Sequence, residues 1–228
     1  DYTGHECATH QMIHGASVYG DLLTPETSQQ LRDLILEGNM KQKMLPVLEN
    51  EFRYSWAIDV NMHPAFKTFW KELASHPNFA DGLQAIIGPD PAVIEFTAIT
   101  AVYGAKAQVD HPDVLSEASA TKFPNTYMPS YSLFIPLQDT SKEMGATHVC
   151  PGSHLCGDGA HDVCFTHSLS MAGDDDNWRT GWGILINQQT LHKGMSHTKK
   201  DGLERVVIIV TFAPRPQTFR KLETRTIS

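Results

Sequence analysis

Leu191-His192-Lys193-Gly194-Met195-Ser196-His197-Thr198 leads, after a polar turn, into Arg205-Val206-Val207-Ile208-Ile209-Val210-Thr211-Phe212, and these two runs organise the rest of the chain. His192 follows an apolar segment, Trp182 to Ile186, and precedes the turn at Gly194. Arg205 heads a run apolar enough to be a buried strand. A guanidinium at the edge of such a run is costly unless it is paired, and its planar fork suits a carboxylate. Arg215 is a poor substitute, because it lies past the strand between two prolines.

Working outward from His192, a complementary cluster stands in Val109-Asp110-His111-Pro112-Asp113. Side chains two apart in a strand point the same way, so His111 and Asp113 converge while Pro112 turns aside. Proline also suits a strand end, where no ladder donor is required. With His192 from a neighbouring strand, two imidazoles and one carboxylate would occupy one face of an ion and leave the other open. That facial set is diagnostic of non-haem Fe(II) oxygenases. An H-x-D triplet is common by chance, and the apolar strand before His192 and the charge of Arg205 are what raise it above chance.

A chain of 228 residues with 41% hydrophobic and 19% charged residues has the composition of an ordinary globular protein, long enough for a substantial core. The expectation is a single domain over 1–228, with a helical N-terminal part (1–90), a jelly-roll core (91–214) and a C-terminal tail (215–228). A formal charge of -8 without a basic stripe argues against nucleic acid as a partner. No apolar run approaches bilayer-spanning length, so membrane insertion is not expected. The chain opens at Asp1, which leaves a processed leader and a trimmed terminus both open; a soluble protein is expected, with an intracellular location slightly favoured. Four cysteines are too few for a disulfide scaffold, and twelve histidines raise the prior for a metal without locating it.

The first twenty residues read as an irregular arm. Thr24-Pro25-Glu26 combines an N-cap hydroxyl, a proline at the first helical position and an acid in the first turn, and Leu31, Leu34 and Ile35 continue at helical spacing until Gly38-Asn39. Phe52 to Val60 suits a strand. Further helices are predicted from Pro64 through Leu73 and from Pro77 to Ile87, the latter stopped by Gly88-Pro89. Beyond Pro91 the texture becomes β: Ala92 to Tyr103, Ala107 to His111, Ser130 to Leu137, Thr147 to Cys150, Trp182 to Asn187 and Arg205 to Phe212. The fold class expected is α+β, mainly β, with helices on one face of a sandwich or jelly roll. Long loops at Leu115 to Asn125 and Gly157 to Arg179 are candidate lids.

The sequence resembles the phytanoyl-CoA dioxygenase family of Fe(II)- and 2-oxoglutarate-dependent oxygenases over about Glu95 to Pro214. The resemblance rests on Gln108-Val109-Asp110-His111-Pro112-Asp113, on Met144-Gly145-Ala146-Thr147-His148-Val149-Cys150-Pro151-Gly152-Ser153-His154, on Asn187 to Thr198 and on Arg205 to Phe212. It implies a double-stranded β-helix of the cupin-like, jelly-roll kind. Iron would be held by the catalytic set His111, Asp113 and His192, and the distal carboxylate of 2-oxoglutarate by Arg205, with Gln108 also beside the co-substrate. Some members carry Ser where Gly194 stands, a hydroxyl that helps hold the co-substrate; Ser196 is the candidate to take over that contact. Members often have Asn where His197 stands. Related halogenases replace the carboxylate with Gly or Ala, so Asp113 favours hydroxylation. The implied reaction consumes O2 and decarboxylates 2-oxoglutarate to succinate and CO2 while a small or medium-sized organic molecule is oxidised. The alternative is a cupin-like metal- or ligand-binding protein without turnover.

Several other clusters compete for attention. Cys156, His161, Cys164 and His167 are spaced somewhat like a zinc site, but too closely for the two halves of a finger; a Cys156 to Cys164 disulfide and plain loop residues are the other readings. In the resembling family the positions of His148 and His154 shape a core turn. His197 is the rival of His192 as a ligand, with a hydrogen-bonding role favoured. Asp174-Asp175-Asp176 lacks EF-hand spacing and reads as a solvated loop. Tyr127, Met128 and Tyr131 are candidates for a substrate pocket, with Trp178 and Arg179 as parts of a lid. Oligomeric state is not legible.

Overall fold

The computed structural model describes residues 4–37, 45–47, 50–59, 61, 63–114, 130–156, 168–173 and 177–215. The helices are α1 (Gly4–His14), α2 (Pro25–Leu36), α3 (Pro64–Ser75) and α4 (Pro77–Ile87). The early strands are β1 (Ala16–Tyr19), β2 (Leu45–Val47), β3 (Asn50–Ala57), β4 (Pro91–Ala101), β5 (Tyr131–Pro136), β6 (Thr140–Ser141) and β7 (Thr147–Val149). The later ones are β8 (Leu169–Ser170), β9 (Asn177–Trp178), β10 (Gly183–Asn187), β11 (His192–Gly194) and β12 (Arg205–Pro214).

Local chemistry starts the helices. Thr24 accepts the amide of Thr27 at 3.2 Å, and Pro25 follows at the first helical position. The next two helices are capped by histidine side chains: His63 accepts from the Ala65 amide at 3.1 Å and His76 from the Phe79 amide at 3.2 Å. Two of the histidines that raised the expectation of a metal therefore serve as caps. Gly88, at a φ of 104° that other residues resist, ends α4.

Among the described residues the strands form an antiparallel seven-stranded sheet in the order β1-β10-β5-β12-β4-β3-β2, a three-stranded sheet β11-β7-β8 and a pair β6-β9. The run Arg205 to Phe212 is buried throughout, so its two faces cannot be separated by polarity, yet they have different partners. Val206, Ile208, Val210 and Phe212 join Leu31, Ile35, Phe66, Phe69, Leu73, Phe79 and Leu83 in the core beneath α2, α3 and α4. Burying Phe66 and Phe69 completely contributes roughly 1.5–3 kcal/mol each. Val207 and Ile209 point the other way, into a cluster with Phe134, Ile184, Ile186 and Val149 between the two sheets. By the same alternation Arg205 faces the inter-sheet space.

The helices-on-one-face jelly roll expected from the sequence is the architecture found, with particular differences. The irregular arm contains α1 and β1, and β1 pairs with β10 from Ala16–Ile186 to Tyr19–Gly183. The strand expected from Ala107 to His111 is reduced to an isolated bridge between His111 and His192. The long loop from Gly157 to Arg179 holds two short strands, β8 and β9. Cys150 is disulfide-bonded while Cys156 is free and exposed, so the Cys156 to Cys164 disulfide is not formed. His161, Cys164, His167 and Asp174 to Asp176 lie outside the described residues, as do Tyr127 and Met128.

Candidate metal centre

His111, Asp113 and His192 converge: one ligand atom from each lies within 4.8 Å of the others. His111 and His192 exchange backbone hydrogen bonds of 3.1 and 3.0 Å across their bridge, and the rings lie 4.7 Å apart between centroids. Asp113 arrives beside them because its amide donates to the Gln188 carbonyl at 2.8 Å. The Nε2 of His192 stands 3.5 Å from Oδ1 of Asp113, close to the separation of about 3 Å for two ligands at right angles on metal bonds of roughly 2.1 Å.

The backbone sets the tautomers. Nδ1 of His111 donates to the Val109 carbonyl at 2.8 Å and Nδ1 of His192 to the Thr190 carbonyl at 3.0 Å. Each Nε2 therefore offers a lone pair to the common point, the usual outer support of a metal-bound imidazole. Burial pushes the His192 pKa below its ordinary 6.5, with Asp113 acting in the opposite direction, which favours the neutral, ligating form. Asp113 is steadied by the Ser132 hydroxyl, which donates to Oδ2 at 3.3 Å. Ser132 in turn accepts from Gln188 Nε2 at 3.1 Å and shares a 3.0 Å hydrogen bond with Thr211. Two neutral imidazoles and a carboxylate, open on one side, fit a ferrous ion.

The open side gives onto a cavity of about 370 Å³ between the sheets, lined by the three ligands and by Gln108, Phe134 and Arg205 among others. Arg205 is fully buried, and desolvation, with help from the charge of Arg53, pushes its pKa down to about 9, which still leaves it a cation at neutral pH. Its Nη1 donates to the Gly145 carbonyl, while its Nε is buried without a partner among the described residues. No carboxylate among the described residues pairs with it.

The Gly-Ala and Pro-Gly-Ser-His segments acquire a structural cause. Gly145 sits at a φ of 81°, and a Cβ there would collide with the Met195 carbonyl. Only glycine lets the turn after β11 pass so close while its own carbonyl meets Arg205. Ser153 donates to the Cys150 carbonyl at 2.7 Å and accepts the Leu191 amide at 2.8 Å. His154 packs against Gly15 and bonds the Met12 carbonyl at 3.2 Å, docking α1.

The remaining candidates are distributed as follows. Gln108 lines the cavity and accepts the Gly194 amide at 2.9 Å. Ser196 does not line it; it borders a separate depression with Tyr103, Lys106 and His197, because the chain turns away from the metal after Gly194. His197 is buried and its Nε2 donates to the Leu203 carbonyl at 2.9 Å, which gives it a hydrogen-bonding role. Tyr131 points into the core beneath the helices, since its position on β5 matches that of Leu133 and Ile135. Trp178 and Arg179 line a different cavity of about 710 Å³, with Trp182, Met171, His10 and His14. His148 bonds the Ser168 hydroxyl at 3.3 Å, and Arg215 forms an exposed ion pair with Asp90 at 2.9 Å.

Sequence reasoning missed Arg53, which lines the metal cavity and is 1% exposed. The signal was present: a lone cation between Phe52 and Tyr54 in a segment otherwise reading as an aromatic strand.

No protein-family model matches the sequence, and no curated protein sequence matches it. Solved structures do. The chain is similar to the non-heme alpha ketoglutarate dependent carbocyclase SnoK from nogalamycin biosynthesis (16% identity, TM-score 0.69, covering 93% of this chain and 86% of that one). It is similar to HygX from Streptomyces hygroscopicus, solved with nickel, 2-oxoglutarate and hygromycin B bound (14% identity, TM-score 0.64, 92% and 87% covered). AviO1 from Streptomyces viridochromogenes Tue57 is similar over 95% of this chain and 98% of its own (16% identity, TM-score 0.64). With a buried arginine beside a two-histidine, one-carboxylate cluster between its sheets, the chain has the double-stranded β-helix fold of these structures.

Proposed function

We propose that the protein is an Fe(II)- and 2-oxoglutarate-dependent oxygenase acting on a small or medium-sized organic molecule. The observation that carries this reading is the placement of Arg205, a buried cation with no carboxylate partner among the described residues, in the same cavity as His111, Asp113 and His192. A metal-binding protein without turnover has no physical need for it. Neighbours of the same fold support the reading: HygX holds 2-oxoglutarate, and SnoN was solved with Fe3+, alpha ketoglutarate and nogalamycin RO. Hydroxylation is the favoured outcome, since Asp113 fills the position through which a halide would otherwise enter.

The chain's residues divide the work. Asp113 and the Nε2 atoms of His111 and His192 would hold the ion, with the cavity on their open side left for the co-substrate. Arg205 receives the distal carboxylate of 2-oxoglutarate with a planar, two-point fork, and Gln108 borders the same space. Phe134, Ile99, Val207 and Ile209 supply an apolar wall beside these polar groups, which limits water. When bound, iron supplies oxygen activation coupled to oxidative decarboxylation of the co-substrate; the protein contributes orientation and exclusion of solvent.

The test is succinate release from 2-oxoglutarate with Fe(II) and O2, measured with and without candidate substrates. Release that depends on His111 and Asp113 is expected, falling at least about 100-fold in His111→Ala. Equal release from that variant would sink the reading.

A further inference from the structure

The cavity beside the candidate metal centre contains two buried guanidinium groups, not one. Their placement follows from strand register. Arg205 of β12 and Arg53 of β3 are both paired with Ala101 of the intervening strand β4. Residues paired across neighbouring strands share a face, so Arg53, Ala101 and Arg205 form a row on the inter-sheet side, spanning roughly 10 Å between the outer Cα atoms. The middle member is alanine, fully buried, with too little side chain to screen one cation from the other. Each charge lowers the cost of bringing in an anion, and each raises the cost of leaving the site without one.

Among the described residues Arg53 is anchored through one nitrogen. Its Nη2 donates to the carbonyls of Lys106, Met195 and Gly194 at 3.1, 3.0 and 3.3 Å. Among the described residues its Nε, like that of Arg205, is buried without a partner, and no carboxylate pairs with it. The third observation is Gly194. A Cβ at this position would collide with Nη1 of Arg53 and lie 2.9 Å from Oε1 of Gln108. Position 194 carries no side chain because the guanidinium already occupies that space, next to the ligand His192.

We propose that Arg53 is a second anchor for the carboxylate that Arg205 receives, so that the distal carboxylate of the co-substrate lies between guanidinium groups from β3 and β12. Gly194 is the residue that admits it. The proposal rests on the oxygenase reading above and adds a binding residue to it. The two-cation site is selective for 2-oxo acids with a distal carboxylate, while a 2-oxo acid ending in a methyl group gains nothing from Arg53.

The experiment uses the full chain loaded with Ni(II) and reads binding by calorimetry, without turnover. Wild type should bind 2-oxoglutarate far more tightly than 2-oxopentanoate. Arg53→Gln should weaken 2-oxoglutarate at least tenfold while changing 2-oxopentanoate and Ni(II) affinities less than twofold, and Arg53→Lys should recover part of the loss. Gly194→Ala, which displaces the guanidinium, should reproduce the Arg53→Gln loss, and the double variant should be no weaker than Arg53→Gln alone. Should Arg53→Gln fail to bind Ni(II), Gly194→Ala is judged by the same tenfold criterion. A 2-oxoglutarate affinity within twofold of wild type in the folded variant overturns the proposal and leaves the oxygenase reading intact. Failure of wild type to bind 2-oxoglutarate at all overturns both.

Discussion

Ser153 fixes the backbone of Leu191: its hydroxyl accepts the Leu191 amide at 2.8 Å and passes its own proton to the Cys150 carbonyl at 2.7 Å. The residue after Leu191 is the candidate ligand His192, so a side chain far away in sequence sets the starting point of β11. Ser153→Ala leaves a buried amide unpaired, which costs about 1–3 kcal/mol. Urea denaturation should show that loss, and Ni(II) titration a weakened site. Unchanged values in both would remove Ser153 from the support of the metal centre.

Ser132 supports the third ligand in the same way. With its hydroxyl removed, Asp113 keeps its backbone bond to Gln188 but loses the donor to Oδ2. Outer-shell losses of this kind cost about 10–100-fold in metal affinity. Ser132→Ala should fall in that range in a competition assay with a metal chelator, with circular dichroism unchanged.

Arg205 and Arg53 make the empty cavity electrostatically expensive, because burial holds their pKa values down to about 9 and about 10 without removing either charge at neutral pH. A dianion that enters should therefore stabilise the fold. At a hundredfold excess over its dissociation constant, 2-oxoglutarate with Ni(II) should add about 2.7 kcal/mol, read as a rise in Tm. Arg205→Met should abolish the rise while leaving the unliganded protein at least as stable, since exchanging an unpaired buried charge for an apolar side chain relieves desolvation.

His197 predicts an acid-side weakness. Burial is the main cause holding its pKa below the ordinary 6.5, with Arg205 adding to the effect and the hydrogen bond to Leu203 opposing it. Between the folded value and 6.5 the unfolded chain carries a proton that the folded chain does not, so stability rises with pH across that window. The contribution is complete above the window and is lost as pH falls through it. Metal-free protein should show this slope in denaturant titrations, and His197→Asn should flatten it.

The legible parts of the fold were those governed by local rules. Thr24-Pro25, Pro64 and Pro77 announce helices because caps and prolines act over a few residues. His192 and Arg205 stood out because each sits at the edge of an apolar segment, where a polar group needs a reason, and His111 and Asp113 because their two-residue spacing sets both side chains on one side of a strand. Less legible were features decided by distant contacts. The strand β1 exists because β10 offers it an edge, and nothing between Ala16 and Tyr19 announces that partner. Arg53 became interpretable only once register set it across Ala101 from Arg205. Ser196 borders a depression apart from the candidate metal centre, and the direction of the chain after Gly194 cannot be read from a loop without period.

The three candidate ligands come from two segments far apart in sequence, which meet at the His111–His192 bridge and at the backbone bonds from Gln108 to Gly194 and from Asp113 to Gln188. An unfolded chain cannot present them as one chelating unit, so the ion has little to recognise before the large sheet is complete. Pairings this distant in sequence form slowly. Metal uptake after dilution from denaturant should thus lag behind secondary structure and coincide with the last cooperative step, making bound metal a direct gauge of how many molecules have reached the native state.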